Sequence, residues 1–213
     1  MSRLPPHPVI SVIVPCRNAR PYIDAAIRSV RAQAYEPLEI LVIDDGSTDG
    51  SGDAVKSLTH NITYHRQDRR GLAAARNTGV LLSQGALLAF LDAEDLWTEG
   101  SLRARLDLLS RHRDYDAALG AVTQLGRDRA RSGRHVGAML IKKCAFLRVG
   151  PFEETVKCGE TRDWFTRAVA AGVRMVATPD VVLRRRDRTP AMSDEGVHAV
   201  QDGLRRAVGP AIR

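Results

Sequence analysis

The amino-acid sequence predicts an α/β fold with a mostly parallel central sheet flanked by helices. Short β-branched runs alternate with segments of helical period through the first half of the chain, the pattern of βαβ units. Two acidic clusters each follow directly on one of those runs. The length of 213 residues, with 44% hydrophobic and 27% charged side chains, suits one domain that buries its core without disulfides or a structural metal.

The elements follow in order. Val9 to Val14 is a β-branched run and the first strand. Pro21 opens a helix whose apolar residues Ile23, Ala26, Ile27 and Val30 recur at helical spacing. Leu38 to Ile43 is the second strand, cut off by Asp44-Asp45-Gly46-Ser47. Ile62 to His65 is the third, followed by a helix over 72–83 and a fourth strand from Ala86 to Leu91. That strand ends at Asp92-Ala93-Glu94-Asp95, and an Arg- and Leu-rich helix covers 99–111. The stretch 114–134 is polar and contains glycine, which predicts an exposed loop with one short strand. Beyond it come a strand from Val136 to Ile141, a turn at Gly150-Pro151, a helix over 161–171 and a strand over 173–177. Trp164, Phe165, Ala168 and Val169 are expected on one side of that helix. The tail carries Val197, Val200, Leu204 and Val208 at the spacing of an amphipathic helix.

Several function classes are disfavoured. The longest apolar runs, Val9 to Pro15 and Gly85 to Leu91, fall short of the about 20 residues a spanning helix needs. The first residues lack the apolar core of a signal peptide, so a cytoplasmic protein is expected. Cys16, Cys144 and Cys158 are odd in number and lack C-x-x-C spacing, which predicts buried, reduced thiols. The net charge of +7 is spread along the chain rather than along one helix face, so nucleic acid is not the expected partner. Its densest clusters, Arg127 to Arg134 and Arg184 to Arg188, suit solvated surface, an anionic substrate or a membrane surface. There is no H-E-x-x-H pair, P-loop or G-x-S-x-G elbow.

In open α/β sheets ligands bind beyond the carboxyl ends of the strands, where both acidic clusters lie. Asp92, Glu94 and Asp95 offer the oxygen ligands that Mg2+ or Mn2+ prefers. Asp45 is placed to accept hydrogen bonds from a nucleobase or ribose, contributing to a ligand rather than to the core. Taken singly, a strand-end aspartate is as often a turn former or helix cap.

The ordered set is more specific. Ile13 to Asn18, Val42 to Asp49, Gly71 to Gly79, Phe90 to Asp95, Gly137 to Ile141 and Val149 to Phe152 closely resemble the successive motifs of family 2 glycosyltransferases, which have the Rossmann-like GT-A fold. The resemblance covers roughly 8–186. It implies a GT-A domain over 8–192, with a nucleotide-binding half at 8–96 and an acceptor-side half at 97–192, between an arm at 1–7 and a helical tail at 193–213. Pro15 and Arg17 match the loop lining the base pocket, Asp45 the acid contacting the base, and Arg76 a helix residue facing the nucleotide. Asp92 and Glu94 match the ends of the Asp-x-Asp motif, whose last position binds the metal.

Three departures stand out. Glu94 replaces an aspartate and is one methylene longer, so that Asp95 becomes a possible partner in metal binding. Thr161 occupies the position of the usual catalytic aspartate and cannot act as a base. Glu160 and Asp163 remain, three residues apart on one helix face, and Asp163 is favoured because Trp164 and Phe165 would desolvate it. Arg188 stands near the place of a histidine that binds metal or diphosphate, and with Arg186 it is a candidate for neutralising phosphate.

The resemblance thus implies an inverting transferase that uses a nucleoside diphosphate sugar, a uridine derivative being the family's commonest donor, with Mn2+ or Mg2+. The acceptor is open between a small molecule, a peptide and a lipid-linked sugar. The rival readings are a non-catalytic nucleotide-sugar-binding or scaffold protein with an altered site, and a nucleotidyltransferase, which lacks its Gly-rich, Lys-bearing loop.

Overall fold

The computed structural model describes residues 5, 7–58, 61–126, 129–131, 133–156 and 159–186. The elements run β1 (Ile10–Cys16), α1 (Ile23–Arg31), β2 (Leu38–Asp45), α2 (Ser51–Ser57), β3 (Ile62–Gln67), α3 (Leu72–Leu82) and β4 (Leu87–Phe90). There follow β5 (Leu96–Trp97), α4 (Ser101–Arg111), β6 (Ala117–Gln124), a 3-10 turn (Val136–Ala138), β7 (Met139–Lys142), α5 (Lys143–Val149), α6 (Glu160–Ala170) and β8 (Met175–Arg185). They form one eight-stranded sheet of order β3-β2-β1-β4-β7-β6-β8-β5. The β1–β2, β1–β4, β2–β3 and β6–β8 pairs are parallel, while β7 and β5 pair antiparallel with their neighbours.

Side chains of a strand alternate between faces, and β1 divides the core accordingly. Ile10, Val12 and Val14 join a cluster with Ile23 and Ile27 of α1 and Leu102 and Leu109 of α4. Ile13 faces the other way, into a cluster with Ile43, Phe90, Phe146, Phe152 and Trp164 beneath α3, α5 and α6. Trp164 stacks on Phe146 at 5.1 Å between ring centroids and lies 5.7 Å from Phe152, which fixes α6 against the sheet.

The elements expected in the first half are found to within about two residues, as element boundaries allow, while α2 and the two-residue β5 were not foreseen. The second half corrects the sequence pattern. The stretch read as an exposed loop with one short strand contains β6, which is eight residues long and largely buried rather than exposed. Its Ala-Ala-Leu-Gly-Ala segment has little intrinsic β preference, and the strand exists because β7 and β8 flank it. The run Val136 to Ile141 starts as a 3-10 turn before β7, and β8 extends eight residues past the expected strand. Val169 is half-exposed rather than packed with Trp164, and Cys144 is exposed, whereas Cys16 is buried as expected. Cys158, Arg188 and the tail at 193–213 lie outside the described residues.

Candidate active site at the carboxyl ends of the strands

A cavity of about 360 Å³ opens where the parallel strands end. β1 delivers Pro15, Cys16 and Arg17 to it, β2 delivers Asp45, and the turn into α3 delivers Gly71 and Leu72. Asp92 and Glu94 come from the end of β4, and Arg185 from the end of β8. Asp45, Pro15, Arg17, Asp92 and Glu94, expected together from sequence, therefore share one cavity. It lies beside β1, whose neighbours β2 and β4 leave in opposite directions, the position where open sheets bind ligands.

Cross-linked loops hold the wall by β1. Asn18, at φ 47° in the left-handed region, donates its N–H to Ser47 Oγ at 3.0 Å and accepts from Thr48 N at 2.9 Å. Ala19 N donates to Ser51 Oγ and Arg20 N to Asp49 Oδ2, each at 2.9 Å. Asp44 is fully buried and accepts from Ser47 N and from the Tyr64 hydroxyl. The Gly46 to Asp49 segment, which could pass for a phosphate-binding helix start, is instead tied to the β1 loop by Ser47 and Asp49.

Asp45 is more committed to the protein than a ligand-facing acid need be. Oδ1 accepts from Gln67 Nε2 and Arg70 N, and Oδ2 from Gly71 N, all at 2.8 Å. It thus shapes the turn that opens α3, so that it serves the fold as well as the cavity, where the sequence suggested the ligand alone. A carboxylate has about four acceptor directions, so one remains for a ligand.

Arg76 is also corrected. It does not line the cavity but lies behind it, 3% exposed, with Nη2 donating to Asp92 Oδ1 at 2.8 Å and Nη1 to Glu160 Oε1 at 3.0 Å. Burial pushes the Asp92 carboxyl up, but the charge and hydrogen bond of Arg76 outweigh it and hold the group below its ordinary range. Burial disfavours the Arg76 cation, and its two carboxylate partners more than restore it.

Asp95 does not join the cavity. It is buried, accepts from Arg186 N at 2.9 Å and sits 3.8 Å from Arg185 Nε. Burial first, and then the charge of Asp92, push its carboxyl up to about 7. The expected sharing of metal by Asp95 is therefore not supported, because its oxygens face the end of β8.

Arg186 lies over the Tyr22 ring at 4.7 Å, and it is Arg185, one residue earlier, that lines the cavity. Strand alternation at the end of β8 decides this, and sequence alone did not fix the phase. His135, also unforeseen, precedes the 3-10 turn and lies within electrostatic range of Asp92, Arg185 and Arg76. Its Nδ1 accepts from Gly137 N at 3.1 Å, and burial above all lowers its pKa to about 4.

The two base candidates separate sharply. Asp163 is half-exposed and paired with Arg167 at 2.8 Å, an i,i+4 contact along its own helix. The desolvation that favoured it is missing because Trp164 and Phe165 point inward while Asp163 points along the surface. Glu160, the first residue of α6, is mostly buried, lies outside the cavity lining and is joined through Arg76 to Asp92, which lines it.

Among the described residues no three His, Cys, Asp or Glu side chains converge as an all-protein metal cage. Asp92 and Glu94 nonetheless fit Mg2+ or Mn2+ bound in the other common way, by one or two carboxylates with phosphate oxygens and water completing the shell. Asp92 Oδ1 serves Arg76, and Oδ2 accepts no hydrogen bond among the described residues. Arg17 adds a buried Nε without a partner at the cavity wall, a donor awaiting an acceptor.

A switch-point cavity that mixes carboxylates and guanidinium groups defines an α/β protein suited to a nucleotide or another phosphorylated ligand. The chain belongs to glycosyl transferase family 2, whose model matches residues 11–174. It is 42% identical over 93 residues to the glycosyltransferase GlyA of Streptococcus pneumoniae, covering 42% of this chain and 13% of that protein. It is 35% identical over 107 residues to a putative teichuronic acid biosynthesis glycosyltransferase, TuaG, of Bacillus subtilis, covering 48% and 42%. The matches thus span less than half the length of these relatives. The solved structure of TarS 1-349 from S. aureus in complex with UDP-GlcNAc superposes with a TM-score of 0.75 at 20% identity, over 84% of this chain and 59% of that one. The mannosyltransferase PcManGT of Pyrobaculum calidifontis, in complex with GDP-Man and Mn2+, superposes at 0.71 with 26% identity, over 94% and 61%. The GT-A architecture is thereby shown. No described helix is long and apolar enough to cross a membrane.

Proposed function

We propose that this chain transfers a glycosyl group from a uridine diphosphate sugar to a hydroxyl acceptor with inversion at the anomeric carbon. The observation that carries the reading is the convergence of Asp45, Asp92, Glu94, Arg17 and Arg185 on one cavity of a family 2 domain. Pro15, Arg17 and Asp45 hold the base and ribose, and Arg185 meets the diphosphate charge. Mn2+ or Mg2+, held by Asp92 and Glu94, neutralises charge on the leaving diphosphate when bound.

Glu160 is the general base in this reading. Its Oε1 is engaged by Arg76, while Oε2 carries no hydrogen bond among the described residues. Oε2 takes the acceptor hydroxyl proton as that oxygen bonds to the anomeric carbon. The carbon's bond to the diphosphate oxygen breaks, and its electron pair leaves with the nucleotide.

Calorimetry with UDP, with and without Mn2+, tests the reading together with hydrolysis of a panel of UDP-sugars. UDP should bind, with Mn2+ raising affinity about tenfold or more, and joint Asp92→Asn and Glu94→Gln substitution should remove that increment. Glu160→Gln should keep donor affinity and lose turnover by about a hundredfold, while Asp163→Asn keeps both. Absence of UDP binding under both conditions refutes the reading.

A further inference from the structure

Arg76 has more connections than a packing residue needs. The guanidinium reaches Asp92 with one arm and Glu160 and Thr161 with the other, at 2.8 Å, 3.0 Å and 3.4 Å. Its face lies over the Phe152 ring at 5.6 Å, which restricts rotation of the plane. Asn77, the next residue of α3, clamps Phe152 by both backbone groups, accepting from its N and donating to its O. The plane of Arg76 is therefore set by α3 and by the segment that leads into α6.

A buried cation between two carboxylates is poor evidence of stabilisation, because desolvation of three charges offsets most of their attraction. What the arrangement provides is geometry. The two carboxylates come from different parts of the chain, the segment after β4 and the start of α6, and Arg76 joins them. A planar fork fixes the angle between its acceptors, whereas an ammonium acts as a point charge.

We propose that Arg76 is a positioning residue that holds the cation-side carboxylate Asp92 and the acceptor-side carboxylate Glu160 in one frame. This deepens the reading of the cleft given above and rests on it. With Oδ1 of Asp92 and Oε1 of Glu160 both directed to Arg76, Oδ2 and Oε2 accept no hydrogen bond among the described residues and are the oxygens left for the reacting groups. Arg76 itself touches neither donor nor acceptor.

Arg76→Met and Arg76→Lys test this through UDP affinity with and without Mn2+, kcat and KM for donor hydrolysis, and thermal unfolding. Metal-free UDP affinity should stay within about twofold in both, since the cavity lining is untouched. Arg76→Met should lose about tenfold or more of the Mn2+-dependent affinity, the range seen when an outer partner of a metal ligand is removed. Arg76→Lys restores charge without the fork, so it should recover most of that affinity while kcat stays about tenfold or more below the parent at similar KM. If Arg76→Met does not fold, Arg76→Lys alone decides by the same split. A lowered Tm with unchanged Mn2+ increment and kcat would make Arg76 purely structural and overturn the proposal. So would a fall in metal-free UDP affinity, which would place Arg76 on the donor. A parent that binds no UDP removes the reading of the cleft itself, a result distinct from both.

Discussion

His135 belongs to no motif, and nothing in the sequence marks it, because its importance comes from where the chain folds back beside Asp92. Its Nδ1 accepts a hydrogen bond from Gly137 N, which requires that nitrogen to be unprotonated. The pKa falls from 6.5 to about 4, chiefly through burial. The unfolded chain therefore binds a proton at this residue between those values and the folded chain does not. Stability contributed by the neutral imidazole is present above about pH 6.5 and is lost as pH falls toward 4. Asp95, raised from 3.8 to about 7, contributes the opposite slope: its neutral form favours the fold at low pH, and that contribution is lost as pH rises to 7. His135→Asn keeps an acceptor at the same reach without the charge and isolates the first effect. Scanning calorimetry from pH 7 to about pH 4 should show the parent losing at least about 3 °C of Tm more than this variant. Equal losses would mean that His135 titrates normally. Asp163 and Glu160 make the complementary point about legibility. Sequence placed both on one helix face, but the start of α6 decided that Glu160 faces Arg76 and Asp163 pairs with Arg167.

At the scale of elements, legibility followed periodicity. β1, α1, β2 and α3 could be read because each carries its own apolar pattern and because Gly, Pro and Asp punctuate their ends. β6 could be read only as one unplaced short strand in a loop, since Ala, Gly and Thr reveal its length and burial only once β7 and β8 stand beside it. Glycines inside elements report close approaches that periodicity misses. Gly79 lies within α3, and a Cβ there would sit 2.3 Å from Cγ2 of Ile13 in β1. The helix thus rides directly on the strand that delivers Pro15 and Arg17. Alanine would gain about 1 kcal/mol of helix propensity, but Ile13 is fully buried and cannot move aside. The clash wins, and Gly79→Ala should destabilise by about 1–3 kcal/mol in urea titration. Pairing it with Ile13→Ala should cost less than the sum of the two single changes, because the second removes the obstructing methyl. Simple additivity would show that α3 has slack against β1.

At the scale of the molecule, net charge and local charge oppose each other. The chain carries +7 overall, which favours a nucleoside diphosphate at long range. The cavity itself is lined by two cations, Arg17 and Arg185, and three carboxylates, Asp45, Asp92 and Glu94, a formal balance of 2 − 3 = −1. Without a divalent cation the local carboxylates repel a diphosphate at contact distance, and at about 0.15 M salt the screening length of about 8 Å leaves contact charges dominant over remote ones. The local balance therefore decides affinity, and a bound divalent cation reverses its sign to +1. Salt then acts differently on the two states. With Mn2+ present, raising NaCl from about 50 mM to about 500 mM should weaken UDP binding severalfold, because both the global field and the exposed contact at Arg185 are screened. Without Mn2+ the weaker binding should respond less, since attraction and repulsion are screened together. Arg185→Ala should flatten the Mn2+ salt dependence and lower affinity, whereas Arg186→Ala, which removes a side chain stacked on Tyr22, should leave the slope unchanged. Isothermal titration at several salt concentrations reads each slope. If Arg186→Ala rather than Arg185→Ala flattens it, the end of β8 presents the other face to the diphosphate.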